Sequence, residues 1–218
     1  MRGVEKSYKT KKGLHKVLDN ISYDFEPGVN VGVLGRNGEG KSTLIDIIGG
    51  ARLPDRGKVV RQGKISWPIG FSGGFSAALT GRDNLRFICR LYREDLRKTA
   101  DFVEDFAGLG PYFDMPVATY SSGMKAKLTF GITMAFEFDY YLIDELTGVG
   151  DAVFRKKSDA FFQERKKTAT LIVVSHSMGT IQKLCDKFLV LHQGKLKNFS
   201  SNADATKYYE EQCCGIFK

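Results

Sequence analysis

The sequence has no apolar run approaching the roughly 18–20 residues that a membrane-spanning helix needs. Its longest apolar stretches, around Leu171–Val174 and Phe188–Leu191, have the length of short buried strands. The opening residues, Met1-Arg2-Gly3-Val4-Glu5-Lys6, place charges where a secretory signal needs apolar side chains. The expected compartment is therefore the cytosol. Cysteine is scarce, four in 218 residues, which excludes a disulfide-stapled scaffold. Cys89 and Cys185 lie in apolar periodic segments and read as core thiols. Cys213-Cys214 are not spaced from the end as a prenylation box requires, and their role stays open. There are three histidines, and no Cys or His cluster has zinc-ligand spacing.

What is present is ordinary for a soluble globular chain: 42% hydrophobic and 27% charged residues. A chain of 218 residues suits one domain, or one domain with a sizeable insertion. The net charge of +8 suits either nucleic acid or the anionic cytoplasmic face of a membrane. Lys and Arg are scattered, with only short runs at Lys9–Lys12 and Arg165–Lys167, so the bland interpretation is a solvated basic surface.

The first segment alternates apolar and polar residues between turn signals at Lys12-Gly13 and Pro27-Gly28, which predicts short antiparallel strands. The valine-rich stretch Val29–Leu34 runs into a glycine-rich loop. From Lys41, Leu44, Ile45, Ile47 and Ile48 have helical spacing and stop at Gly49-Gly50. A turn at Leu53–Gly57 precedes a strand candidate at Lys58–Val60. From 79 to about 136 the pattern is mostly helical, and strand-like runs return at Tyr140–Ile143, Leu171–Val174 and Phe188–Leu191. The order predicts one α/β domain over 1–218, with an N-terminal antiparallel β subdomain and a helical subdomain inserted at about 79–136.

Gly35-Arg36-Asn37-Gly38-Glu39-Gly40-Lys41-Ser42 matches the G-x-x-x-x-G-K-[ST] pattern between a predicted strand and a predicted helix. Glycines let successive backbone N–H groups curl around phosphate oxygens, and the following helix points its positive end at the same atoms. Lys41 brings a cation to the phosphates, the Ser42 hydroxyl can ligate Mg²⁺, and Thr43 packs or assists. Nucleotide binding is expected here, and kinases, GTPases and motor ATPases share such a loop. Asp144 and Glu145 end the apolar strand Tyr140–Ile143: Asp144 fits the acid that holds Mg²⁺, and Glu145 fits a base for the attacking water. His176 follows the strand Leu171–Val174, and adjacent parallel strands deliver their C-terminal ends to one edge.

Tyr120-Ser121-Ser122-Gly123-Met124, shortly before the acidic strand, resembles the L-S-G-G-Q signature of ABC cassettes, with Ser121 and Gly123 matching literally. Serine is a good N-cap, and a helix starting there offers free N–H groups to an anion. The resemblance implies a P-loop (RecA-like) ATPase in which Ser121 and Gly123 bind the γ-phosphate held by a second copy. It further implies that Tyr8 stacks on adenine, that His176 contacts the γ-phosphate, and that Asp151 connects the two sites of the dimer. One departure lies between Ser66 and Leu79. ABC cassettes carry a metal- and partner-sensing glutamine there, and this stretch has none; Ser76 is the nearest counterpart.

Further strings, Ile65–Gly70, Gly73-Gly74-Phe75, Leu79–Asn84, Tyr112–Pro116 and Phe138–Tyr141, look like the ATPases of bacterial capsular polysaccharide exporters. That resemblance implies a homodimer on the cytoplasmic face of the inner membrane, bound to two copies of a permease. Periplasmic and outer-membrane export proteins would continue the path, and no nucleic acid is expected as a partner. Export of O-antigen or teichoic acid is the alternative within this class. A soluble ABC ATPase acting on ribosomes or DNA, and a small-molecule kinase, are the alternatives outside it.

Overall fold

The computed structural model describes residues 1–11, 13–69, 75–144 and 151–214, with Cys214 described by its backbone alone. The chain divides into two compact units: Met1–Pro68, Phe138–Leu146 and Gln163–Lys218 in the first, and Ile69–Glu137 with Thr147–Phe162 in the second.

The first unit is built on two sheets. Strands β1 (Arg2–Thr10), β2 (Gly13–Ile21) and β4 (Arg56–Lys58) form an antiparallel sheet in the order β2-β1-β4. The second sheet has the order β5-β6-β3-β7-β8, from β3 (Val31–Leu34), β5 (Tyr140–Asp144), β6 (Thr170–Ser175), β7 (Lys187–His192) and β8 (Lys195–Phe199). Its first four strands are parallel and β8 is an antiparallel edge. Every residue of β3 and β6 is buried, which is why both read as unbroken apolar runs and not as alternating ones. Helices α1 (Lys41–Gly49) and α6 (Met178–Leu184) contact this sheet. Gly32 is required on β3, because a Cβ there would lie 2.2 Å from Ile181 Cγ2 of α6. After β8, helix α7 (Asn202–Tyr208) contacts β7 and β8, with Tyr208 tilted against Phe199 at 5.2 Å.

The second unit is helical: α2 (Gly81–Tyr92), α3 (Leu96–Ala107), α4 (Ser122–Ala135) and the greater part of α5 (Ala152–Arg165). Its core is aromatic. Phe106 stacks on Phe130 at 5.9 Å, and Phe154 meets both rings edge-on at 5.6 and 5.4 Å. Side-chain caps fix the helix starts: Asp83 N–H donates to Thr80 Oγ1 at 3.0 Å, Lys98 N–H to Asp95 Oδ1 at 2.8 Å, and Met124 N–H to Ser121 Oγ at 3.2 Å. The α/β class, with an antiparallel sheet, a mostly parallel sheet and a helical segment, is as the sequence implies.

Candidate nucleotide-binding site

The loop 35–40 leaves the middle strand of the parallel sheet. Registers Leu34↔Ser175 and Asp144↔Val174 bring the ends of β3, β6 and β5 to one edge, so the loop, His176 and Asp144 share it. The loop is held by close backbone approach. A Cβ on Gly35 would sit 2.9 Å from the Leu191 carbonyl oxygen, and one on Gly40 would sit 2.3 Å from Val17 Cγ1. Gly38 and Gly40 have φ of +88° and +100°, the left-handed region that favours glycine. Gly40 caps α1 without a side chain, which leaves the first-turn N–H groups to face a ligand.

Lys41 is 6% exposed. Its Nζ donates to the carbonyls of Gly35 at 2.8 Å and Arg36 at 3.0 Å, so the ammonium lies folded over the loop it serves. The other end of α1 is also secured: Arg61 donates through Nε to the Ile48 carbonyl at 2.7 Å and through Nη2 to that of Ile47 at 2.5 Å. A guanidinium there satisfies orphan carbonyls and complements the helix dipole. No feature of the sequence marked Arg61 for this role.

Ser42 is exposed on the first turn of α1, and Asp144 is half-buried at the end of β5. These are hard oxygen donors, the type that Mg²⁺ takes together with nucleotide phosphates. Among the described residues no group of three or more His, Cys, Asp or Glu could hold a metal ion. Ser42 and Asp144 are thus the oxygen donors that could hold a cation here together with nucleotide phosphates. Thr43 Oγ1 lies 3.2 Å from the Tyr8 hydroxyl, which fixes the Tyr8 ring beside α1. The Arg52 guanidinium lies 5.6 Å from the centre of that ring. Arg36, Asn37 and Gly38 are exposed, as is His176. The preceding Ser175 is buried and its Oγ accepts the Ser177 N–H at 2.9 Å. Glu145, expected as the base, lies outside the described residues.

Ser121, Gly123 and Asp151 belong to the second unit. Ser121 is the N-cap of α4, as its residue type implies. Asp151 receives the Phe154 N–H at 2.9 Å and pairs with Lys127 Nζ at 2.7 Å. The Lys127 hydrogen bond, followed by that of the Phe154 N–H, lowers the Asp151 carboxyl to about 2. Tyr120, which stands where the signature has leucine, is buried, and its hydroxyl donates to the Tyr112 carbonyl. A Cβ on Gly81 would lie 2.6 Å from that hydroxyl. Arg82 donates to Asp114 at 2.6 Å and packs over the Phe113 ring at 4.8 Å. The strings Leu79–Asn84, Tyr112–Pro116 and Tyr120–Met124 are therefore one packing unit beneath the start of α4.

Ser76 is exposed, and its backbone is clamped at both ends by Asn84, the last residue of the string Leu79–Asn84, to which the sequence assigned no role of its own. Ser76 N–H donates to Asn84 Oδ1 at 2.8 Å, while Asn84 Nδ2 donates to the carbonyls of Ser76 at 3.0 Å and Thr80 at 2.9 Å. Asn84 is buried. A buried amide that satisfies the backbone of a returning loop is a strong organiser.

A glycine loop off the middle of a parallel sheet, an acid at the end of β5, two strands from the loop, and a helical unit with a serine-capped helix define a P-loop nucleotide-binding cassette. The family model described as ABC transporter matches residues 18–148, and the chain belongs to that family. It is 47% identical to the polysialic acid transport ATP-binding protein KpsT of Escherichia coli, over 97% of this chain and 98% of that protein. It is also 47% identical to the capsule polysaccharide export ATP-binding protein CtrD of Neisseria meningitidis serogroup B, over 94% and 95%. Among solved structures, the ATP-binding cassette MJ0796, a dimer bound to ADP and Pi, superposes with a TM-score of 0.78 at 20% identity, over 92% of this chain and 98% of that one.

Proposed function

We propose that this chain is the ATP-hydrolysing subunit of an exporter that drives capsular polysaccharide across the bacterial inner membrane through a separate permease. The full-length likeness to two polysaccharide-export ATP-binding proteins carries the cargo. The chemistry is supported by the loop, where Lys41 is folded onto the carbonyls of Gly35 and Arg36.

In this reading ATP binds between residues 35–43 of one copy and Ser121 and Gly123 of a second. Lys41 exchanges two neutral carbonyl acceptors for anionic phosphate oxygens, so its ammonium gains an opposite charge as partner. Tyr8 stacks on adenine. Ser42 and Asp144 hold Mg²⁺, which supplies neutralisation of phosphate charge when bound. Glu145 accepts the proton of the attacking water, His176 contacts the γ-phosphate, and Asp151 carries the state of one site to the other. Hydrolysis separates the copies, and the helical unit transmits that change to two permease subunits on the cytoplasmic face of the membrane. Periplasmic and outer-membrane export proteins receive the polymer.

Affinity purification of the tagged chain from solubilised membranes, with mass spectrometry, tests the reading. Recovery of an integral-membrane permease with polysaccharide-export proteins is expected. Recovery of ribosomal or DNA-bound material, with the protein absent from membranes, would overturn the exporter.

A further inference from the structure

Glu39 sits in the anion-binding loop between Gly38 and Gly40, where a carboxylate pointing inwards would repel phosphate. Its side chain points elsewhere. Oε2 accepts the backbone N–H of Gln193 at 2.7 Å, and Oε1 lies 3.2 Å from His192 Nδ1. The Glu39 and His192 side chains are only 19% and 18% exposed.

The partner is a firm anchor. Gln193 and Gly194 both have positive φ, +49° and +74°, and form the two-residue turn between β7 and β8 with His192 opposite Lys195. Asp19 N–H holds the same turn from β2 by donating to the Gly194 carbonyl at 2.8 Å. Below the turn, β7 is paired to β3, with Leu34 opposite Val190. The loop thus leaves β3 and is tied back, through Glu39, to the end of the strand beside it.

We propose that Glu39 is a positioning residue that moors the phosphate loop to the β7–β8 turn and keeps its own charge off the phosphates. The proposal rests on reading residues 35–42 as the phosphate loop. Glu39 orders the loop before nucleotide arrives, so its loss raises the ordering cost of binding. A hydrogen bond to a charged acceptor in a mostly buried setting corresponds to about a tenfold change in an equilibrium constant.

The test is an equilibrium titration of the full chain with Mg-ATP, beside a thermal melt without nucleotide. Glu39→Ala should weaken binding about tenfold without a matching fall in the melt. Glu39→Gln, which keeps an acceptor for the Gln193 N–H, should recover most of that loss. The Glu39→Ala/His192→Ala double variant should lose less than the two single losses multiplied, because both act on one mooring. Should Glu39→Ala fail to fold, Glu39→Asp, too short to span both partners, carries the same expectation. Binding by Glu39→Ala as tight as or tighter than the parent overturns the mooring, and so does an equal loss in the alanine and glutamine variants. Lys41→Ala is the control: if it keeps full affinity, the phosphate-loop reading itself has failed, independently of Glu39.

Discussion

The two units solve the problem of positioning in opposite ways. In the first, an aliphatic core of residues such as Val31, Val33, Ile45, Ile172 and Val174 packs closely, and neighbouring side chains or backbone leave the glycines at 32, 35 and 40 no room for a Cβ. A side chain at any of the three would force its neighbours to shift. In the second, stacked phenylalanines fill the core, and the helix starts hang on single side-chain caps at Thr80, Asp95, Ser121 and Asp151. The lesson is that the cradle is specified by what is missing from the side chains. The signature helix is specified by what they add.

The sharpest way to break this contrast is to empty the aromatic core. Phe130 contacts Phe106, Phe154 and Phe162, the last at 5.4 Å. Phe130→Ala should cost about 3–5 kcal/mol, read by urea unfolding. Ile45→Val in the first unit should cost only about 1 kcal/mol. Equal costs would mean that the aromatic core is not the organising feature of the helical unit.

A smaller effect is expected at the cap. Ser121→Ala removes the acceptor for the Met124 N–H and should cost about 1 kcal/mol of stability. Its effect on ATP hydrolysis should exceed what that loss of folded protein explains, because Ser121 is assigned a phosphate contact as well. Hydrolysis that falls only in step with stability would leave Ser121 a cap and nothing more.

The smallest effect concerns pH. Asp151 is held at about 2 by Lys127 and the Phe154 N–H, below the ordinary carboxylate value of about 3.9. A depressed pKa adds stability that is present above the unfolded value and is lost as pH falls through the folded one. Asp151→Asn should therefore flatten the decline in unfolding free energy between about pH 4 and pH 2. An unchanged slope in a urea series at stepped pH would remove the ion pair from the account.

Much of this was legible in the sequence, and the reason is locality. A phosphate loop is fixed by its own glycines and flanking strand, and the Ser121 cap acts on a residue three positions away, so residue types alone announce both. The strand expected at Lys58–Val60 lies instead at Arg56–Lys58. Its register is set by pairing with β1, Arg2 opposite Lys58 and Glu5 opposite Arg56, and not by the apolar pair Val59-Val60. Strand β8 and helix α7 carry polar patterns and gave no sequence signal. Glu39 meets a turn 153 residues away, and Arg61 meets carbonyls of α1. Such partners are chosen by topology, which no local pattern encodes. Tyr120 stands where the signature has leucine, and Ser76 is the nearest counterpart of the missing glutamine. They are anchored by the Tyr112 carbonyl and by Asn84 respectively, partners that their residue types did not announce.

In the proposed cycle, the site for ATP held by the first unit is completed by Ser121 and Gly123 of a second copy, with Glu145 as the base. The most direct measurement is the solution mass of Glu145→Gln by sedimentation, with and without Mg-ATP. Bound, unhydrolysed ATP and a mass that doubles when nucleotide is present are expected. A variant that binds ATP yet stays monomeric, or one that still hydrolyses it at the parent rate, would contradict that cycle.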